Sequence, residues 1–366
     1  MLTGIIAVVI FISIIILVHE LGHFWAAKTF DLWVKEFGFG LPPKIFSKKI
    51  GETVYSLNAL LFGGFVKIWG EDREDVESPT TEEEIIGSIK KTEITEKIEI
   101  IETTPDKSRN FSFLPIWKRS IIIAAGVAMN FVLGWFLISF IFLVGLPQAV
   151  LITQIASNSP AAEIGIKAGD KVSDFKTSES LIEYINQNRG KEISLKIERG
   201  NEVLEFKTIP RINPPQGEGA LGIGLAETGV EKQSLFNCLW NGLKKSLEII
   251  WMVLVALASL IAKAFIGEAS FNQISGPIGI VKVTAQTSSY GFLYLIQLLA
   301  IISLNLTVIN LLPFPALDGG RLLFLAIEKI KGSPLPSKFE QYANAIGLIL
   351  LLILMIIVTI KDIAVF

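Results

Sequence analysis

The amino-acid sequence predicts a polytopic α-helical membrane protein with four transmembrane helices, membrane-associated β segments and one inserted extracytoplasmic α+β domain. Hydrophobic residues make up 51% of the 366 residues and charged residues only 19%, with a mean hydropathy of +0.55. This balance is too apolar for an ordinary soluble protein and is typical of integral membrane proteins. The apolar residues are also gathered into long runs that polar stretches separate.

Four apolar runs predict the transmembrane helices, because a bilayer core about 30 Å thick needs roughly 20 residues of helix. The first run has no basic segment before it and no clear small-residue cleavage site after Val18, which favours an uncleaved helix over a signal peptide. The third run is broken by Pro313 and Pro315. The helices are predicted within residues 1–29, 116–146, 291–320 and 321–366, with apolar cores at 3–27, 121–146, 292–312 and 345–360.

The loop between the first two helices, residues 30–115, has two parts. Residues 36–69 mix β-forming side chains with Gly63 and Gly64, which predicts strands and a turn. Residues 71–110 are dense in Glu, Lys and Thr and poor in aromatic side chains, which predicts an acidic, solvated and mobile insert. The composition of the insert indicates no function.

Two further regions separate the second and third helices. Residues 147–227 contain short β-type runs, turn residues and a helical stretch near 180–188, which predicts a small α+β domain on one side of the membrane. Residues 228–290 contain an apolar stretch at 247–266 with charged residues close by. This stretch is long enough to span the membrane. The alternatives are that it lies along the membrane interface or re-enters the membrane.

The two histidines of the chain, His19 and His23, lie four residues apart at the end of the first apolar run, with Glu20 beside the first. In a helix, residues i and i+4 share one face, so both imidazoles can bind one metal ion. The glutamate can act on water at that metal. Because ionisable groups at membrane depth are costly and rarely lack a function, the spacing predicts half of a zinc-protease site.

A catalytic zinc site takes three protein ligands and a water, so one more ligand is required. With no third histidine, the ligand must be a carboxylate or Cys238, the single cysteine, which also excludes an intrachain disulfide. Asp318 is the best candidate because it follows a hydrophobic helix broken by prolines, and broken backbone at membrane depth is tolerated where it lines a watery cavity. The alternative is that Asp318 caps a helix that begins near Gly320.

Membrane topology provides a second argument for Asp318. Its carboxylate reaches the side of His19 and His23 only if the chain crosses four times and residues 247–266 do not span. The positive-inside rule then makes that side cytoplasmic and the α+β domain extracytoplasmic. Basic residues near membrane ends on the histidine side are Lys28, Lys35, Lys44, Lys48, Lys49, Lys118, Arg119, Arg321, Lys329, Lys331 and Lys338, whereas Lys244 and Lys245 lie on the other side.

Two motifs together resemble those of the site-2 protease family of intramembrane zinc metalloproteases, most closely its bacterial RseP-like branch (regulator of sigma-E protease). The motifs are His19-Glu20-Leu21-Gly22-His23 and residues 310–320, and the similarity covers nearly the whole chain outside the insert. The resemblance implies that His19, His23 and Asp318 bind Zn²⁺ and that Glu20 is the catalytic base. It also implies that Asn310 helps to position substrate.

Other segments are similar to the same family. Residues 36–40 and 63–67 resemble its membrane-dipping β segments, and residues 275–280 resemble a segment before its last catalytic helix. The second-helix motif is similar to residues 125–131, in which Asn130 is interpreted first as a hydrogen-bonding partner of a neighbouring helix.

The domain at 147–227 resembles a PDZ domain in the turn from Ser159 to Val172. Many relatives carry two such domains, and this chain has room for one. The resemblance implies a peptide ligand of the PDZ-like domain as a partner, alongside the lipid bilayer and transmembrane protein substrates. A net charge of −2 gives no indication of a nucleic-acid partner.

The expected function is that of an intramembrane zinc metalloendopeptidase in the bacterial cytoplasmic (inner) membrane, which hydrolyses peptide bonds within transmembrane segments. The resemblance implies substrates such as anti-sigma factors or signal-peptide remnants. Two alternatives are a non-catalytic PDZ membrane adaptor with a structural metal and a tethered zinc protease with soluble substrates. A structural zinc site would have four protein ligands, whereas only three are apparent, which favours catalysis.

Overall fold

The computed structural model describes residues 2–71, 107–200, 202–215, 217–267, 276–288 and 290–364. The chain divides into two compact units. Unit 1 comprises Met1–Gly134, Ser246–Thr284 and Leu299–Phe366, and unit 2 comprises Trp135–Lys245 and Ala285–Leu298.

Long helices dominate the described residues. The helices are α1 (Leu2–Thr29), α2 (Ile116–Val144), α3 (Pro160–Glu163), α4 (Ser178–Gln187), α5 (Leu235–Phe265), α6 (Pro277–Ser288), α7 (Phe292–Leu311), α8 (Asp318–Lys331) and α9 (Ser337–Ala364). The strands are β1 (Val34–Ile50), β2 (Thr53–Ile68), β3 (Leu146–Ile155), β4 (Lys171–Val172), β5 (Ile193–Arg199), β6 (Glu202–Thr208) and β7 (Ile223–Val230). Short 3₁₀ turns occupy Lys107–Arg109 and Phe111–Phe113.

Five helices in the described part of the chain are long and apolar enough to cross a bilayer. They cover Gly4–Thr29, Ile116–Val144, Leu235–Ala264, Phe292–Leu311 and Ser337–Ala364. The protein is therefore a polytopic membrane protein that also contains β sheets. Helix α5, which includes the stretch at 247–266, is continuous over 31 residues, so the number of crossings stays a prediction.

The sheet of unit 1 is built from β1 and β2, and β2 contacts β1 on two sides. Residues 36–39 pair with 64–67 on one side and with 54–57 on the other. The row of residues 64–68 therefore lies at an edge of this sheet. Position 38 favours glycine, because a Cβ there would lie 2.4 Å from the Phe65 ring.

An ion pair fastens the chain at the end of the predicted insert to the sheet. Most of that insert, residues 72–106, lies outside the described residues, but Arg109 donates two hydrogen bonds of 2.8 Å to the Glu52 carboxylate in the turn between β1 and β2. These bonds, together with an ion pair to Lys28, lower the pKa of Glu52 to about 2. The β hairpin and the segment that leads into α2 are thus joined at one point.

A second, buried ion pair joins α8 to the start of α2. The Arg119 guanidinium donates to the two Glu328 oxygens at 3.2 Å and 2.5 Å, and its Nε donates to the Leu114 carbonyl at 3.1 Å. Both charged side chains are buried. Since α8 begins at Asp318, the pair restrains the helix that carries this aspartate.

Unit 2 contains a five-stranded antiparallel sheet with the strand order β6-β5-β4-β3-β7. Alternate residues of β5 point into the core, where Leu195 and Ile197 are fully buried. Helix α4 adds the buried Leu181 and Ile185 to the same core. The sheet extends slightly beyond the predicted domain at 147–227 because β7 pairs along the whole of β3.

A closed polar network holds one loop of this sheet domain. Asp170 is buried and accepts hydrogen bonds from Arg199 Nε at 2.8 Å, Arg199 Nη2 at 2.7 Å and the Lys167 backbone N–H at 2.8 Å. Every one of these bonds stabilises the ionised carboxylate, so its burial is compensated.

Candidate metal centre

Helix α1 presents His19 and His23 to α2. The two helices approach closely at Gly22, where a Cβ would lie 2.3 Å from the Ala125 carbonyl oxygen. On α2, Gly126 faces both rings, because a Cβ there would lie 2.3 Å from His23 Nε2 and 2.8 Å from His19 Cε1. The absence of a side chain at Gly126 therefore leaves the space in which the two imidazoles meet.

A compact turn carries Asp318 to the histidines. The chain leaves α7 at Leu311 and turns through the two prolines to begin α8 at Asp318. Three glycines permit the turn: a Cβ on Gly319, Gly320 or Gly347 would lie 2.2–2.4 Å from the carbonyl oxygens of residues 312, 314 and 315 respectively.

The side chain of Asp318 does not cap α8. The N-cap position is occupied by Leu317, without a side-chain hydrogen bond, and Asp318 is the first helical residue. Asp318 Oδ2 lies 3.1 Å from His19 Nε2 and 3.5 Å from His23 Nε2. This oxygen atom is buried and has no hydrogen-bond partner in the described structure. The capping alternative is therefore wrong.

The three candidate ligand atoms form a near-regular triangle. The two Nε2 atoms lie 3.2 Å apart, which completes sides of 3.1, 3.2 and 3.5 Å. A tetrahedral Zn²⁺ with ligand bonds of about 2.0–2.1 Å separates its ligand atoms by about 3.3 Å. Two imidazoles and one carboxylate are also a donor set that catalytic zinc sites use. The residues present therefore fit zinc.

The described residues contain this one group of three or more metal-ligating side chains that lie close enough to share an ion. Cys238, the other candidate for the third ligand, is not part of it. Its Sγ is buried in α5 and donates a hydrogen bond to the Leu235 carbonyl. The carboxylate of Asp318 is thus the donor that accompanies the imidazoles.

The ring nitrogens that face away from the triangle have partners on α2. His23 Nδ1 lies 2.9 Å from the Ile122 carbonyl oxygen, and His19 Nδ1 lies 3.2 Å from Asn130 Nδ2. Ile122, Gly126 and Asn130 are spaced by four residues, so they form one face of α2. This face orients both imidazoles.

A cavity of about 200 Å³ adjoins the triangle. Its lining includes Glu20 and the β2 edge at Gly64, Phe65 and Val66. A Cβ on Gly64 would lie 3.0 Å from Glu20 Cγ, so the strand passes directly over the glutamate. The described residues that line the cavity do not include Asn310, which lies half-buried in the last turn of α7.

A larger and more open cavity, of about 680 Å³, lies beside the first. Glu71 and Arg321 line both cavities, and their side chains form an ion pair of 2.6 Å. Polar and apolar residues both line the other walls of the larger cavity, with Lys67, Glu340 and Asn344 among the polar ones.

Comparison with known proteins identifies the family of this chain. A family model described as peptidase family M50 matches residues 7–354. The chain belongs to peptidase family M50. The "Regulator of sigma-W protease RasP" of Bacillus subtilis is 29% identical over 418 residues, with 98% of each chain covered. "Zinc metalloprotease RasP" of Shouchella clausii is 30% identical, with 96% of each chain covered, and its namesake in Geobacillus kaustophilus is 30% identical, with 99% of this chain and 98% of the relative covered.

The M50 assignment confirms the expected class of activity. This M50 peptidase is an intramembrane zinc metalloprotease of the site-2 type, and its cofactor is Zn²⁺. The assignment does not by itself say which side chains bind the metal or act on water.

Sequence reasoning missed several residues at this M50 centre. Gly126 was not singled out, and Asn130 was expected only to bond some neighbouring helix. Glu71 was assigned to the functionless insert, and Arg321 was counted only as a basic residue. One signal was available: Gly126 and Asn130 repeat the four-residue spacing of His19 and His23 on a second apolar helix.

Proposed function

We propose that His19, His23 and Asp318 bind the zinc ion and that Glu20 is the general base in the hydrolysis of transmembrane segments. The observation that carries this proposal is the triangle of ligand atoms, with sides of 3.1–3.5 Å, beside Glu20 near the end of a candidate membrane helix. Three protein ligands leave one position for water and substrate, as a catalytic site requires.

The chemistry divides between the metal and the protein. Bound Zn²⁺ polarises the scissile carbonyl and makes water more acidic. Glu20, at the cavity wall, accepts a proton from the attacking water and later donates it to the leaving amine. The β2 edge over Glu20 limits the space around the carboxylate, so that the proton acceptor stays directed into the cavity.

The substrate segment is proposed to bind as an added strand on the edge row 64–68. A transmembrane helix hides its peptide bonds in internal hydrogen bonds, so it must unwind before hydrolysis. An edge strand offers backbone groups to an extended segment, and this row lines the cavity through Gly64, Phe65 and Val66. Asn310 is proposed to help position the substrate, on the basis of the family resemblance alone.

Strand addition has a specific test. Successive N–H groups of an extended peptide point to opposite sides. Substrate peptides N-methylated at alternate residues should lose cleavage in one register and keep it in the register shifted by one. Equal cleavage of both sets would contradict strand addition.

A count of crossings supports four transmembrane helices. The neighbouring positions of His23 and Asp318 require the ends of α1 and α7 to share one membrane face, so α7 starts on the face where α2 ends. The chain between α2 and α7 must then cross an even number of times. Within its described residues α5 is the one candidate span, and the 12 residues of α6 reach only about 18 Å. We therefore assign α5 to the interface or to a re-entrant path, and the metal centre to the cytoplasmic side.

The sheet domain of unit 2 is proposed to be an extracytoplasmic PDZ-like domain. Helix α4 lies near the edge strand β7, where Glu227 accepts a hydrogen bond from the Ser178 N–H at 2.8 Å. A groove between a helix and an edge strand is the kind of site that binds an extended peptide. Its proposed ligand is a peptide segment of a substrate or partner.

The substrate class follows from the relatives by analogy. The Bacillus subtilis relative is named a regulator of a sigma factor, which supports anti-sigma factors as substrates, and remnant signal peptides are a second group of single transmembrane segments. Both classes present a helix that can enter from the bilayer. The proposed activity is regulated intramembrane proteolysis.

The proposal is tested with detergent-purified protein and a model transmembrane peptide, with and without a zinc chelator. We expect cleavage within the transmembrane segment, loss of cleavage with chelator and recovery when Zn²⁺ is added. A matched soluble peptide serves as the control. Cleavage of the soluble peptide alone would support a tethered protease, and zinc binding without any cleavage would support an adaptor with a structural metal.

A further inference from the structure

Asn130 lies on α2 in the interior of unit 1, with 1% of its surface exposed. Its backbone carbonyl accepts a hydrogen bond of 2.8 Å from the Ser303 hydroxyl of α7, and Ser303 is itself fully buried. Its side-chain Nδ2 lies 3.2 Å from His19 Nδ1. The backbone of Asn130 is therefore held by α7, and its side chain is directed at the His19 imidazole on α1.

Only one of the two polar atoms in the Asn130 side-chain amide has a partner. Its Oδ1 is buried without a hydrogen-bond partner in the described structure. Buried polar atoms nearly always have partners, and an exception calls for a chemical reason. The amide has a nearly symmetric shape, so a rotation of about 180° exchanges its nitrogen and its oxygen without new space.

The second histidine shows what His19 requires. His23 Nδ1 faces the Ile122 carbonyl at 2.9 Å, and a carbonyl can only accept, so the proton of that ring is on Nδ1. In the neutral ring, His23 Nε2 then carries the lone pair, which is directed into the triangle. His19 also directs Nε2 into the triangle, so its Nδ1 must carry the proton and needs an acceptor.

We propose that the Asn130 carbonyl oxygen is that acceptor and that Asn130 is a positioning residue of the zinc site. With Oδ1 turned towards His19, the N–H of His19 Nδ1 has an acceptor, and the amide nitrogen of Asn130 takes the buried position that the oxygen occupied. The ring is then fixed in the form and orientation that leave Nε2 free for the metal. The Ile122 backbone carbonyl accepts the Nδ1 proton of His23, and the Asn130 side-chain amide accepts that of His19 in the same way. This inference rests on the proposed assignment of His19 as a ligand.

Zinc affinity of the purified protein, measured against a competing chelator, tests the inference. Asn130→Leu removes the acceptor at similar size and should weaken zinc binding about 10- to 100-fold, the usual effect of losing such a partner. Asn130→Asp keeps an acceptor and should bind zinc nearly as well as the wild type. Thr284→Val, a buried change in α6 of the same unit, is the control and should leave zinc affinity unchanged.

The outcomes separate the possible roles. If Asn130→Asp loses as much affinity as Asn130→Leu, the residue acts as a donor and the inference is wrong. Wild-type affinity in Asn130→Leu would show a packing role only. A wild-type protein that binds no Zn²⁺, or a His19→Ala variant that binds it normally, would instead overturn the assignment of the ligands.

A measurement on the wild-type protein avoids any folding defect of the variants. The chain has two histidines, so ¹⁵N-histidine labelling gives two pairs of ring-nitrogen signals. In the zinc-loaded protein, we expect His19 to bind through Nε2 and to carry a hydrogen-bonded proton on Nδ1 that is protected from exchange with water. Coordination through Nδ1, or a rapidly exchanging Nδ1 proton, would overturn the role of Asn130.

Discussion

Each of the two units holds an aspartate with little exposed surface, but the surroundings of the two carboxylates differ. In unit 2, Asp170 receives three hydrogen bonds, two from the Arg199 guanidinium and one from a backbone N–H. In unit 1, Asp318 faces two imidazole nitrogens, and its Oδ2 makes no hydrogen bond. The first carboxylate is saturated by the protein and the second is not.

This difference separates a structural carboxylate from the proposed metal ligand. A buried charge with a complete set of donors contributes to stability, because its desolvation is compensated within the fold. A largely buried carboxylate that faces the lone pairs of two neutral imidazoles has no positive charge beside it to compensate its own charge. We propose that, at Asp318, a divalent cation would supply that charge and use all three donor atoms.

The largest contrast is expected between Asp318→Asn and Asp170→Asn. Asp318→Asn should abolish zinc binding and cleavage, since it removes a charged ligand, while hydrogen exchange in both units stays as in the wild type. Asp170→Asn should keep zinc and activity but destabilise unit 2 by about 2 kcal/mol, because charged hydrogen bonds are lost. Zinc content, cleavage and hydrogen exchange of β4 and β5 are the measurements. Stable zinc binding by Asp318→Asn would remove the distinction.

The next contrast compares two glycines of α2. Gly126→Ala should greatly weaken zinc binding, because the new methyl group would lie 2.3 Å from His23 Nε2. Gly134→Ala, two turns further along α2, is the control: its methyl group would meet Leu304 Cγ and Cδ2 of α7 at 2.6 Å and no imidazole atom is among its nearest neighbours. We expect near-normal zinc affinity in that variant. Equal zinc affinities in the two variants would show that the imidazoles do not need the space at Gly126.

A third prediction concerns the ion pair that restrains α8. Glu328→Gln leaves the buried Arg119 without its counter-charge and should lower the free energy of unfolding of unit 1 by about 3 kcal/mol. Zinc affinity should fall as well, because α8 carries Asp318. Exchanging the two residues, in Arg119→Glu with Glu328→Arg, should recover part of the stability. Undiminished thermal stability of Glu328→Gln would show that the pair does not restrain α8.

The smallest effect is expected at the partly exposed pair of Glu52 and Arg109. The folded-state pKa of Glu52, about 2, lies below its ordinary value of 4.5, so the stabilisation is complete above pH 4.5 and is lost as pH falls towards 2. Because the pair is partly exposed, it should contribute less than about 1 kcal/mol. The difference in melting temperature between the wild type and Glu52→Gln should narrow over this pH range. A difference that widens on acidification would contradict the assignment.

The sequence predicted those parts of the site that depend on local spacing. The positions of His19 and His23 follow from helical periodicity, and Asp318 follows from the number of ligands that catalytic zinc requires. Both arguments need only short segments of chain. The sequence alone could not decide between helix capping and metal binding by Asp318, because these two roles differ only in where the side chain points.

The remaining features depend on tertiary contacts. The face of α2 made by Ile122, Gly126 and Asn130 acquires its role only when α1 packs against it. Likewise, the contact of β2 with both sides of β1 arises from a chain reversal between residues 57 and 64 that strand propensities do not specify. Hydrophobicity alone also cannot decide whether α5 crosses the membrane, because α5 is as long as the other four candidate helices and nearly as apolar as α7.

The most direct test of the central claim measures zinc content and cleavage on the same preparations of three proteins. The wild type should contain one Zn²⁺ per chain and cleave a transmembrane peptide. Glu20→Gln should keep the Zn²⁺ and lose cleavage by about 100-fold or more, because it lacks the proton acceptor. His23→Ala should lose both. Cleavage by Glu20→Gln at the wild-type rate, or full zinc content in His23→Ala, would contradict the account.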